Sequence, residues 1–149
     1  GTNSDGRHVT RPDRASMARV MELALADAGL EPSQIDFVSA HGTATSAGDV
    51  AESNATADLF GGEVPVASLK SYTGHTLGAC GAIEAWLSIE MMREGWFAPN
   101  LNLDEVDPRC AMINHTTEIT ERQIHTFAVQ NFAFGGVNTS LVFRRWEDE

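Results

Sequence analysis

Three observations predict an α/β fold whose early strands run parallel. Apolar residues at helical spacing alternate with short β-branched and aromatic runs. The early runs each end in a polar cluster and are followed by a further helical stretch. The last two runs, by contrast, follow one another directly across Gly135-Gly136, as the strands of a hairpin do.

The elements follow in order. After a polar start, Met17, Val20, Met21, Ala24, Leu25 and Ala28 recur at the spacing of an amphipathic helix, and Gly29 stands where a C-terminal stop belongs. "PSQIDFVSAHG" reads as a turn and a buried strand from Ile35 to Ala40. "AGDVAESNATADLFGG" reads as a second helix closed by Gly61-Gly62, and "VPVASL" as a strand from Val64 to Leu69. Leu77, Cys80, Ile83, Leu87 and Met91 mark a third helix that ends at Gly95. The polar, proline-bearing stretch from Ala98 to Glu121 reads as a long loop. "HTFAVQNFAF" and "NTSLVFRRW" are the closing strands.

At 149 residues, 42% hydrophobic and 21% charged, the chain suits one globular domain. No apolar run is long enough to span a bilayer and no secretory signal opens the sequence, so the reading is cytoplasmic, with no membrane partner. A net charge of −11 without a basic stripe argues against nucleic acid. Cys80 and Cys110 are too few for a disulfide framework.

Three polar clusters sit at strand exits: "HGTAT" with His41, "KSYTGH" with Lys70 and His75, and "NFAFGGVN" around Gly135. Sites in open α/β sheets gather at the carboxyl ends of strands, so these clusters are expected to converge. Each residue also has a plainer reading. His41 suits a loop histidine bonded to backbone, and His75 a cap or packed ring. Lys70, the single lysine of the chain, suits a solvated charge or a Schiff-base amine. No HExxH or paired-cysteine spacing supports a metal, and none is expected. Glu84 lies four residues after Cys80, on the apolar face of the third helix, where a carboxylate needs a partner; Lys70 is the candidate and partial exposure the alternative. Cys80 reads as a small buried filler among Gly78, Ala79, Gly81 and Ala82.

Together these clusters resemble the C-terminal half of a β-ketoacyl-acyl carrier protein synthase. The family's HGTxT motif is similar to His41-Gly42-Thr43-Ala44-Thr45, its KSxxGH motif to Lys70-Ser71-Tyr72-Thr73-Gly74-His75, and its NxFGFGGxN motif to the run from Asn131 to Asn138. The resemblance runs from the polar start to Arg145. The closing motif departs from the pattern by one missing residue before Phe132 and by Ala133 in place of glycine.

The resemblance implies the C-terminal half of a thiolase-like fold, a mixed and mostly parallel sheet packed by helices. It implies a decarboxylative Claisen condensation between an acyl thioester and a malonyl group on acyl carrier protein. The nucleophilic cysteine of the family lies in the N-terminal half, and neither Cys80 nor Cys110 matches it, so residues 1–149 are expected to be inactive alone. By the same resemblance, His41 and His75 donate to the enolate oxygen, Lys70 with Glu84 supplies orientation and positive charge, and the Phe134 N–H forms half of an oxyanion hole. Thr43 and Thr45 bind the phosphopantetheine arm. The closing turn resembles the family's gating loop, in which the phenylalanine at the Phe134 position swings to admit acyl chains, Gly135 and Gly136 supply the backbone freedom and Phe132 contacts substrate. The alternate spacing of Phe132 and Phe134 is expected to turn both toward the pocket, and a plain tight hairpin is the alternative. No bound cofactor is implied. The implied partners are acyl carrier protein, the N-terminal half and, for the full-length enzyme, a second copy. Docking of an acidic carrier protein falls either to a cluster of Arg7, Arg11, Arg14 and Arg19 or to the N-terminal half. A non-catalytic chain-length-factor-like subunit, a polyketide-synthase ketosynthase domain and a thiolase are the competing readings.

Overall fold

The computed structural model describes residues 1–6 and 11–146. Asp13 opens α1 (Arg14–Ala28), its carboxylate accepting the Ser16 N–H, and Gly29 closes the helix with a left-handed φ of 64°. Met17, Val20, Met21, Ala24 and Leu25 are its buried stripe, as their spacing predicts.

A six-stranded sheet follows from β1 (Thr2–Ser4), β2 (Phe37–Ser39), β3 (Pro65–Ala67), β5 (Asn114–His115), β7 (Thr126–Phe132) and β8 (Val137–Arg144), in the order β1-β8-β7-β2-β3-β5. β2 is parallel to both β3 and β7, and β3 is parallel to β5. β7 and β8 form the antiparallel hairpin, with Phe132 opposite Asn138 beside the turn. β4 (Trp96–Phe97) and β6 (Thr120–Glu121) make a separate antiparallel pair. The mixed, mostly parallel α/β sheet is therefore as expected.

Both faces of the sheet are covered. On one, α1 and α2 (Ser46–Phe60) bury Val20, Met21, Val38, Ala55, Ala128 and Phe132. On the other, α4 (Cys80–Glu94) buries Met91 and Met92 against Phe37, Phe97, Phe127 and Val129. Phe37 and Val38 point to opposite faces, which is why β2 reads as a continuous apolar run and not as an alternating one.

Some structure escapes the sequence reading. β1 reads as a polar start, and its place comes from antiparallel pairing with β8. After β3 the chain turns at once into a one-turn helix, α3 (Lys70–Thr73), where the sequence suggests a polar loop. The stretch from Ala98 to Glu121 is mostly irregular, but β5 and β6 lie in it; strands of two residues are too short to show a period. Among the described residues, no helix is long and apolar enough to cross a membrane.

Candidate active site

Three parallel strands deliver the three clusters to one end of the sheet. His41 follows β2, Lys70 follows β3, and Asn131 and Phe132 end β7. The expected convergence is present: the His41 and His75 rings lie 5.4 Å apart, centroid to centroid, edge to face at 89°. The Phe132 ring stands 6.0 Å from His41.

The loop after β2 is shaped by close contact. Gly42 has φ 35°, and a Cβ there would stand 2.5 Å from the Ser68 Cβ, so only glycine fits. Ser68 donates its hydroxyl to Gly42 O at 2.8 Å. The Thr43 and Thr45 hydroxyls share a hydrogen bond of 3.0 Å just before α2.

His75 is exposed, and its Nδ1 accepts the Leu77 N–H at 3.1 Å. With Nδ1 an acceptor, the neutral ring carries its proton on Nε2, which makes Nε2 a donor. For His41, burial, then the positive field of Lys70, lowers the pKa to about 3, so this ring is neutral.

Lys70 is only 7% exposed and Glu84 only 1%, and the two form a buried ion pair. The predicted partnership holds, and the alternative of partial exposure does not. The other Glu84 oxygen accepts from Asn131 Nδ2 at 3.3 Å, and Asn131 Oδ1 accepts from Cys80 Sγ at 3.1 Å. Burial still raises the Glu84 pKa, with Lys70 opposing it. Cys80 is buried, as its small neighbours suggest; Cys110 is half-buried, and both are free thiols.

The closing turn differs from the expectation that both phenylalanines face the pocket. Phe132 is buried beside His41, but Phe134 is 69% exposed. The reason is local: strand alternation stops at Phe132, and residues Phe134–Gly136 form a tight, non-helical turn. Gly135 and Gly136 both have positive φ, 77° and 75°. A Cβ on Gly136 would meet Asp5 Oδ1 at 1.8 Å, and the Asp5 N–H bonds Gly136 O at 3.2 Å.

A cleft of about 670 Å³ opens beside the cluster, lined by Thr43, Lys70 and His75 and, across from them, by Asp49, Glu52 and Cys110. His41, Thr45, Phe132 and the Phe134–Gly136 turn lie outside its lining. Sequence reasoning missed Glu52, which is buried and accepts the His41 and Gly42 N–H groups. The signal was available: Glu52 shares a stripe with Ala55, Thr56 and Leu59, the same cue that marks Glu84. Of the proposed docking arginines, Arg7 lies outside the described residues. Arg14 and Arg19 are paired with Asp58 and Glu22, so they do not form a free basic patch.

Residues 1–104 match the family model for the beta-ketoacyl synthase C-terminal domain. The chain is 38% identical over 149 residues to 3-oxoacyl-[acyl-carrier-protein] synthase 1 of Escherichia coli (strain K12), covering 99% of this chain and 36% of that one. It superposes on the crystal structure of a beta-ketoacyl synthase from Burkholderia phymatum STM815 with a TM-score of 0.96 at 57% identity, covering 99% of this chain and 36% of that one. The ishigamide ketosynthase/chain length factor superposes with a TM-score of 0.94 at 35% identity, over 99% of this chain and 37% of that one. The chain thus spans about a third of the length of the relatives it matches, 36% for the Escherichia coli protein.

Proposed function

From the premise that this chain belongs to the beta-ketoacyl synthase family through its C-terminal domain, we propose that it supplies the decarboxylation half of a 3-oxoacyl-acyl carrier protein synthase site. The nucleophilic cysteine belongs to an N-terminal half, on which an acyl group rides as a thioester. In the malonyl thioester the bond to the carboxylate breaks, CO2 leaves, and the electron pair moves onto the thioester oxygen as an enolate. The enolate carbon then attacks the acyl carbonyl, a carbon–carbon bond forms, and the cysteine thiolate departs.

One observation carries this reading: two imidazoles 5.4 Å apart, one of them turned with its Nε2 as the donor by the Leu77 N–H on its Nδ1. Two donors suit a developing oxyanion, where an acid and a base would not. Lys70, held by Glu84, adds positive charge beside the departing carboxylate. Thr43 and Thr45 hold the phosphopantetheine arm, the Phe134 N–H serves the acyl oxyanion, the Phe134 ring gates the acyl chain on the freedom of Gly135 and Gly136, and Phe132 contacts the substrate. The substrate arrives on acyl carrier protein, no bound cofactor takes part, and the complete enzyme is a homodimer.

The likeness to the ishigamide ketosynthase/chain length factor favours one second reading, a non-catalytic chain-length-factor-like subunit. Mass spectrometry of this chain after incubation with acyl-carrier protein tests the division of labour. The expected result is no covalent acylation, and stoichiometric acylation of Cys80 or Cys110 would overturn it. A complete protein with an upstream cysteine that acylates excludes the chain-length-factor reading.

A further inference from the structure

Near the end of β7, Asn131 pairs with Thr139 of β8, whose hydroxyl donates to the Asn131 carbonyl at 3.3 Å. With its backbone fixed in the hairpin, the side chain meets the first turn of α4. Its Nδ2 donates to Glu84 Oε2 at 3.3 Å, and its Oδ1 accepts the Cys80 thiol at 3.1 Å. A Cβ on Gly81 would stand 3.2 Å from Nδ2, so the amide lies close against the helix backbone.

This amide has one workable orientation. An ionised carboxylate only accepts hydrogen bonds, so Nδ2 must face Glu84. Oδ1 is then left needing a donor, and the Cys80 S–H supplies it. Cys80 therefore does more than fill space. Glu84 in turn has both oxygens engaged, one by Lys70 and the other by Asn131. The carboxylate is only 1% exposed, so water cannot replace a partner that swings away.

Asn131 also bears on His41. The Nδ1 of that ring is buried and has no hydrogen-bond partner among the described residues. Burial and then Lys70 press the ring toward its neutral form, and the Asn131 side chain works against them.

We propose that Asn131, turned by the Cys80 thiol, is a positioning residue that locks Glu84 and so fixes the Lys70 ammonium relative to the His41 ring. For its catalytic consequence the proposal rests on the reading of Lys70 and His41 as decarboxylation groups; the chain from thiol to amide to carboxylate does not.

Infrared spectra of the full chain with Cys110→Ser, which leaves Cys80 as its one thiol, test the geometry. The Cys80 S–H stretch is expected below the frequency of a free thiol, and to rise when Asn131→Ala removes the acceptor. A band already at the free-thiol frequency contradicts the proposal even if that variant does not fold. So does a lowered band that survives Asn131→Ala. In the complete enzyme, Asn131→Ala is expected to slow CO2 release from malonyl-acyl carrier protein at least about tenfold, with little change in KM. Cys80→Ala should cost less, about two- to tenfold, and the double variant no more than Asn131→Ala alone, because the thiol acts only through the amide. Losses that multiply in the double variant contradict that order of action. Normal CO2 release by Asn131→Ala would sink the positioning role while leaving the condensation reading intact. Wild-type enzyme that releases no CO2 would sink the condensation reading, while the S–H band still decides whether the thiol holds the amide.

Discussion

Lys70 and Glu84, fourteen residues apart in sequence, form a buried ion pair between α3 and α4. The only lysine of the chain therefore has a carboxylate that is otherwise surrounded by protein. Removing one partner leaves the other charge buried and unpaired. Lys70→Ala or Glu84→Ala should each cost about 3–5 kcal/mol, and Lys70→Met with Glu84→Met less than the sum of the single changes. Urea denaturation of the four proteins checks this; additive losses would mean that the pair is not coupled.

The Glu52 carboxyl predicts a pH dependence of stability with a definite sign. Its folded pKa is raised from 4.5 to about 7, so in that window the native state binds the proton that the unfolded state has released. Its contribution is fully present below about 4.5 and is lost as pH rises through about 7, a change of about 3 kcal/mol. His41 works in the opposite direction. Its depressed pKa gives a contribution present above 6.5 and lost as pH falls toward about 3. The test is therefore a difference. The stability of wild type relative to Glu52→Gln should fall between pH 5 and pH 8, and a constant difference would show that Glu52 is not the titrating group.

The two glycines of the closing turn should behave differently. At Gly136 the Asp5 carboxylate occupies the Cβ position, whereas at Gly135 nothing lies within 4 Å of an added Cβ. Gly135→Ala should cost only about 1–2 kcal/mol of left-handed backbone strain, and Gly136→Ala distinctly more. In the complete enzyme Gly135→Ala should slow acylation more than it lowers thermal stability, because it stiffens the proposed gate. Rapid-mixing acylation kinetics beside a melting curve decide this. A large loss of stability with a normal acylation rate would leave the glycines as a turn alone.

Much of this arrangement is legible in the residue pattern. Strand exits put His41, Lys70 and His75 at one end of the sheet, and the apolar face of the third helix exposed Glu84 as a residue in need of a partner. Glu52 carried the same cue but sat in a helix of small residues, where a stripe of Ala55, Thr56 and Leu59 stands out less than Leu77 and Leu87 do. Phe134 escapes the alternation because β7 ends at Phe132 and the chain then enters a turn. The β1 strand is polar, and only its pairing with β8 makes it a strand. The tautomer of His75 depends on one backbone contact with Leu77, which no residue pattern announces.

The central claim is that His41 and His75 stabilise the enolate formed when malonyl-acyl carrier protein loses CO2. The most direct test is CO2 release from malonyl-acyl carrier protein by the complete enzyme and its His75→Ala variant, with melting temperatures measured alongside. His75 is exposed, so its removal should leave the fold intact. The account predicts a fall of about 10²–10³ in decarboxylation with an unchanged melting temperature. Near-normal CO2 release by a folded His75→Ala enzyme would contradict it.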